Sequence, residues 1–260
     1  MSAARLAELI CASGRVVALT GAGISVPSGI PDFRSPGTGL WANVDPMEVA
    51  HIAGWRRDPD KFWSFYGQRF ALLHDKRPND AHLALAELER RGLLEAVVTQ
   101  NIDRLHRLAG SDCVIEVHGS IDWSACLRCG ARTELERVLE LLAAAEGAPR
   151  CAGCGAPLKP DVVLFGERLA HETIDAACEL AESADLLLCV GSSLGVQPVA
   201  GLPELTLRSG GAVAIVTQGP TPYDRAATVK LEGDVEEELR ALVAAIGAQS
   251  PLLPRRAGTA

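Results

Sequence analysis

The sequence predicts an α/β fold in which a mostly parallel sheet carries helices on both faces and a small zinc-binding module is inserted. Three observations lead there. Short apolar runs alternate with helical patterns along most of the 260 residues, as in doubly wound sheets. Chemically rich residues directly follow the apolar runs, where ligands bind beyond the carboxyl ends of parallel strands. Two Cys-x-x-Cys pairs, 126–129 and 151–154, have the spacing of a tetrahedral zinc site.

The runs Val16–Leu19, Ala96–Val98, Val114–Val117, Val162–Phe165, Leu186–Val190 and Val213–Val216 read as strands. His82–Arg91, His171–Ser183 and Val235–Ile246 read as helices, the first capped by Asn79–Asp80 and ended by Gly92. Leu6, Leu9 and Ile10 share one face of an N-terminal surface helix, and Glu8 interrupts any signal-peptide core. The expected large, Rossmann-like domain comprises residues 1–36, 75–122 and 158–250. Residues 37–74 form a helical and loop segment of the small domain, 123–157 the zinc module, and 251–260 a disordered tail.

Composition narrows the function. A net charge of −8, from 25 basic and 33 acidic residues, argues against a general nucleic-acid binder. No apolar run is long enough for a membrane span. A monomeric, cytoplasmic enzyme is the expectation. Four thiolates from Cys126, Cys129, Cys151 and Cys154 would close the coordination sphere of one structural zinc, with Gly130, Gly153 and Gly155 forming tight knuckles. Disulfides are the alternative, disfavoured in a chain without an export signal. Cys11, Cys113, Cys178 and Cys189 read as core residues.

After the first strand comes Gly21, Ala22 and Gly23, with Val26 and Gly29 close behind and Pro27, Pro31 and Pro36 stiffening the loop. Such glycines allow close backbone approach to a ligand, and a pyrophosphate suits a strand-to-helix turn. The spacing is not GxGxxG, so the loop alone does not separate dinucleotide binding from an ordinary turn. Phe33 and Arg34 suggest a lid over a planar group and phosphate. Gln100, Asn101, Ile102 and Asp103 follow the second strand; either Asn101 or Asp103 alone could equally cap a helix. His118 ends the third strand, where a neutral imidazole can act as a base, whereas His51, His74, His82, His106 and His171 lack such a setting and His106 faces solvent or packs.

GAGISVPSGIPDFRS, TQNIDRLH, the His118–Gly119 pair and GSSLGVQP occur in the order found in the sirtuins, NAD-dependent protein lysine deacylases, and together resemble that family over roughly residues 14–246. The resemblance implies that Asn101 and Asp103 hold the nicotinamide end of NAD⁺ and that Ile102 lines its pocket. It makes His118 the catalytic base and gives Gly191, Ser192 and Ser193 to the cofactor's ribose. Thr217 stands where the family commonly has Asn, and Val235 falls near the adenine. Residues 159–167 would lay a backbone edge against acylated-lysine protein substrates, Val162 and Phe165 lining the acyl-lysine tunnel and Val163 and Leu164 serving as core. The implied reaction transfers the acyl group to ADP-ribose and releases nicotinamide. Acetyl-lysine is the expected substrate. Tyr66 and Arg69, three apart on one helical face, resemble the pair that grips succinyl or malonyl carboxylates in acidic-acyl sirtuins. Two other classes stay open: a nicotinamide dehydrogenase, opposed by the missing GxGxxG, and a zinc-ribbon nucleic-acid binder, opposed by the acidic balance.

Overall fold

The computed structural model describes residues 2–32 and 49–249. Six strands form one parallel sheet: β1 (Val16–Thr20), β2 (Ala96–Thr99), β3 (Val114–Glu116), β7 (Leu186–Val190), β8 (Ala212–Val216) and β9 (Val229–Leu231). Their spatial order is β3-β2-β1-β7-β8-β9. Strand order therefore reverses beside β1, and the crevice at that reversal is where doubly wound sheets bind ligands.

Both faces of this sheet are covered, which is why its strands read as unbroken apolar runs. Ala18, Leu186 and Leu188 pack with Leu6, Ile10, Leu85 and Leu242 on one face. Val17, Leu19, Leu187 and Ile215 meet Ala177, Ala181 and Leu202 on the other. Each fully buried leucine contributes roughly 1.5–3 kcal/mol. The first face is supplied by helices α1 (Ala3–Ala12), α4 (Asp80–Arg90) and α9 (Val235–Gln249), the second by α7 (His171–Ser183) and α8 (Leu202–Arg208). The N-terminal helix is thus core-forming, with Leu6, Ala7 and Ile10 buried against the sheet and α9.

A second sheet, antiparallel, holds β4 (Gly119–Cys126), β5 (Arg132–Glu134) and β6 (Leu158–Val162) in the order β5-β4-β6. Here the structure departs from the expected Val162–Phe165 strand. The strand ends at Val162, starts earlier, and pairs with β4 in the small sheet. Pro160 lies inside the strand, a residue that ordinarily argues against a strand interior. Around this sheet stand α2 (Ile52–Arg57), α3 (Pro59–His74) and α6 (Leu135–Ala144), sharing a core of Trp55, Phe62, Trp63, Phe70, Ile121, Val138 and Leu158. Trp63 Nε1 donates to the Leu158 carbonyl at 2.8 Å and ties α3 to β6.

His118 lies at the joint between the sheets, after β3 and immediately before β4. Gly119 makes the joint possible. Its φ is +78°, and a Cβ there would come within 2.1 Å of the Asp161 carbonyl oxygen.

Three cysteine expectations fail. Cys11 and Cys113 are exposed and Cys178 is half-buried, so only Cys189 of the four is a core residue. Cys11 and Cys113 sit at element ends, where an apolar neighbourhood in sequence does not become one in space.

Candidate functional site

The carboxyl ends of β1, β2 and β7 converge at the strand-order reversal. Gly21 donates to Val190 O at 3.1 Å, Gly23 to Gly191 O at 2.8 Å, and Gln100 N to Thr20 O at 3.0 Å. The glycines serve this convergence directly. A Cβ on Gly23 would lie 2.7 Å from the Gly191 oxygen, and one on Gly191, at φ +61°, would lie 2.1 Å from Ile24 N. The close approach expected of a ligand is thus used, in the first place, by two loops packing on each other. Residues Ala22–Ser28 then form a 3-10 turn without a side-chain cap, ended by Gly29 at φ +76°.

Beneath that turn lies a buried polar cluster. The Ser25 hydroxyl donates to Asp103 Oδ2 at 2.6 Å and accepts from Asn101 Nδ2 at 3.1 Å. Asn101 Nδ2 also reaches the Gly21 carbonyl at 3.1 Å, and Asp103 Oδ1 accepts from Leu105 N at 3.0 Å. Burial raises the Asp103 pKa, the hydroxyl of Ser25 and the backbone N–H groups of Leu105 and Asp103 offsetting part of the rise. Ser25 is the residue the sequence reading missed. A serine among glycines is ordinary loop chemistry, and only its contacts single it out.

Two histidines support the cluster from below. His82 is fully buried, with Nε2 3.4 Å from Ser25 Oγ and Nδ1 3.0 Å from Asn79 Oδ1. His106 Nε2 lies 2.9 Å from Thr20 Oγ1, whose proton goes to Thr99 Oγ1 at 2.8 Å. Thr99 Oγ1 in turn accepts from Asn101 N at 3.1 Å. His106 therefore packs, at 2% exposure, and does not face solvent.

The Nδ1 of His118 faces the Gln100 carbonyl at 2.9 Å. A carbonyl only accepts, so Nδ1 carries the proton and Nε2 is left as the basic nitrogen. Burial lowers the His118 pKa, the Gln100 carbonyl partly opposing it. Gln100 Nε2 crosses to Ser192 Oγ at 2.9 Å, linking the β2 and β7 loops. Ile102 is half-buried and accepts from Ile121 N at 3.1 Å. Arg104, left-handed at φ 71°, pairs with Asp122 on β4.

The remaining site residues scatter more widely. Ser192 is buried, Ser193 exposed, and Thr217 half-buried with its N–H on Leu231 O at 3.0 Å. Val235 starts α9, and Val26 is 45% exposed. Phe33 and Arg34 lie outside the described residues. Val162 is buried within the small-sheet core with Leu164, whereas Val163, expected in the core, is half-buried and donates to the His118 carbonyl at 2.8 Å. Phe165 is 45% exposed. Tyr66 sits in the aromatic core, stacked on Phe62 with ring centroids 4.5 Å apart, and burial pushes its phenol up to about 12. The Arg69 guanidinium lies over the Phe65 ring at 3.5 Å and donates to the Phe65 carbonyl at 2.5 Å.

At the far end of the small sheet, the ligand atoms of Cys126, Cys129, Cys151 and Cys154 all lie within 4.8 Å of one another. The Cys126–Cys154 and Cys129–Cys151 sulfurs are 3.4 and 3.6 Å apart, close to the ~3.8 Å that tetrahedral Zn–S bonds of about 2.3 Å require. The two knuckles are alike: Gly130 N donates to Cys126 O and Gly155 N to Cys151 O, each at 2.9 Å and each glycine at positive φ. Backbone N–H groups of Cys129 and Arg128 hold the Cys126 thiol down to about 6. The cluster fits one structural zinc.

The family model described as Sir2 matches residues 21–198 of the chain. The chain belongs to the Sir2 family. An NAD-dependent protein deacetylase 2 from Caldanaerobacter subterraneus subsp. tengcongensis is 44% identical to this Sir2 chain, over 91% of it and 92% of the relative. An NAD-dependent protein deacylase from Thermococcus sibiricus is 42% identical, over 91% and 93%. A solved Sir2 structure with a deacetylated p53 peptide and 3′-O-acetyl-ADP-ribose superposes with a TM-score of 0.89 at 41% identity, covering 94% of this chain and 98% of that one.

Proposed function

We propose that this Sir2 chain is an NAD-dependent protein lysine deacetylase that transfers the acyl group to ADP-ribose and releases nicotinamide. The observation that carries the reading is His118, held as a neutral base by Gln100 beside buried Asn101 and Asp103 at the strand-order reversal. Bound NAD⁺ would supply an activated ribose carbon. Asn101, Ile102 and Asp103 hold its nicotinamide end; Gly21, Ala22, Gly23, Val26 and Gln100 border the pyrophosphate and ribose. Gly191, Ser192, Ser193, Thr217 and Val235 take the adenosine side. The Nε2 of His118 accepts a proton from a ribose hydroxyl. Acylated-lysine proteins pair along residues 159–167, with Phe165 and the segment beside His118 bordering the lysine stem. The zinc holds the small sheet and takes no part in chemistry. The large parallel sheet holds the cofactor and the zinc-tied small sheet, which takes in residues 119–126 and 158–162, completes the cleft, in a cytoplasmic monomer.

A second reading, removal of succinyl or malonyl groups, is favoured by the shared face of Tyr66 and Arg69 and by the deacylase name of the Thermococcus relative. It requires Arg69 to leave the Phe65 ring. The test is turnover of acetyl- and succinyl-lysine peptides with and without NAD⁺. Acetyl preference supports the first reading; succinyl preference lost in Arg69→Met overturns it. Deacetylation by His118→Ala near the wild-type rate would remove the base from its role.

A further inference from the structure

We propose that Lys159 and Glu167 form a clasp that presents the substrate-pairing edge, acting as positioning residues for the acylated peptide. This rests on the reading of residues 159–167 given above.

Lys159 is the only buried lysine or arginine among the described residues, at 6% exposure within β6. Its three ammonium protons are all used: Pro160 O at 3.1 Å, Val162 O at 2.8 Å and Glu167 Oε2 at 2.9 Å. The same carboxylate oxygen accepts from Leu164 N at 2.9 Å, and Glu167 N donates to Leu164 O at 3.0 Å. The ion pair therefore spans the base of the Val163–Gly166 loop, in which Leu164 is buried and Phe165 exposed.

What the loop touches gives the clasp its consequence. Val163 N is on the His118 carbonyl at 2.8 Å, while Phe165 donates to Ala50 O at 2.9 Å and accepts from Ile52 N at 2.9 Å. The Val163 carbonyl has no partner among the described residues. With Val162 O turned onto Lys159 and Val163 N held on the His118 carbonyl, the clasp decides which main-chain groups face the cleft. Buried ion pairs are poor sources of net stability, and their best-attested use is to select one register over another. Here the register is that of the edge to which a peptide adds as a strand.

The effect should grow with the length of substrate backbone that pairs. The experiment measures KM and kcat of the full-length, zinc-loaded enzyme for a long acetyl-lysine peptide, for a capped single acetyl-lysine, and for NAD⁺. The variants are Lys159→Met, Glu167→Gln and both together. Glu167→Gln keeps the size and an acceptor for Leu164 N, so it guards against a misfolded Lys159→Met. We expect each single variant to raise KM for the long peptide at least tenfold, with KM for NAD⁺ and for the capped lysine changed less than about threefold. The double variant should be no worse than either single one. Unchanged peptide KM in folded Glu167→Gln overturns the clasp, as does an equal rise in KM for all three substrates. If wild-type enzyme does not turn over acetyl peptide with NAD⁺, the functional reading itself falls and the clasp with it.

Discussion

His118 Nδ1 lies 2.9 Å from the carbonyl oxygen of Gln100, and Gln100 Nε2 lies 2.9 Å from Ser192 Oγ. The proposed general base is thus oriented by a residue that also spans the crevice between β2 and β7. Because burial lowers the His118 pKa, the basic form persists below the ordinary histidine range. The sign follows directly: the protonated ring cannot accept a proton, so kcat/KM for deacetylation should fall as pH drops through a midpoint below 6.5 and be flat above it. A rate profile from pH 5 to 8 checks this, and a rate still climbing between pH 7 and 8 would contradict it. His118→Ala should lose roughly 10²–10⁴ in turnover while NAD⁺ still binds in calorimetry.

Ser25 and Asp103 make opposite predictions for stability and activity. Asp103 is buried with its pKa raised, so its charged form costs folding free energy at neutral pH. Asp103→Asn should raise the melting temperature while lowering turnover at least tenfold. Ser25→Ala removes a 2.6 Å donor to that carboxylate and should destabilise by about 1–3 kcal/mol. Differential scanning calorimetry with a steady-state assay separates the two. A lower melting temperature for Asp103→Asn would show that the charge is compensated in the fold.

Much of this site was legible because apolar runs mark the strands and the reactive residues sit at their ends. The β2 loop and His118 stood out for that reason, as did the paired cysteines through their spacing. The misses share a cause. Whether Val162 or Val163 stands by His118 depends on the end of β6 and on the register shift between Gly119 and Ser124, which no local pattern reveals. Lys159 in a strand reads as exposed, and His82 and His106 read as incidental, because burial of a polar group is decided by partners far away in sequence. Ser25 needed Asp103, 78 residues on.

The zinc cluster fixes the end of the small sheet away from His118. Cys126 closes β4, and Cys154 precedes β6, so losing the metal should loosen the strand that leads to residues 159–167. Chelation should remove about one zinc per chain, lower the melting temperature and raise KM for acetyl peptide more than KM for NAD⁺. Metal analysis alongside kinetics tests it. Full activity in protein stripped of its metal would separate the small sheet from peptide binding.

The buried histidines predict an acid weakness. Burial lowers His82 to about 4 and, with His82 nearby, His106 to about 3. Both are held neutral in the fold, and the two rings meet edge-on with centroids 4.9 Å apart. In the unfolded chain each would titrate near 6.5, so below that pH the unfolded state binds more protons. Stability should be full above pH 6.5 and fall with acidification by about 1.4 kcal/mol per pH unit for each histidine. The fall continues towards the folded pKa values. Burial at His118 adds in the same direction. Between pH 6.5 and 5 the low-pKa carboxylates such as Glu87 (about 2) stay ionised, whereas Asp103, Glu116 and His171, whose pKa values the fold raises, act in the opposite direction, so the buried imidazoles are read from the difference between wild type and the histidine variants. Urea titrations at pH 7, 6 and 5 should show a steadily lower unfolding free energy, flattened in His106→Gln and His82→Gln. Equal stability at pH 7 and 5 would mean that water or a charge partner reaches the rings in the folded protein.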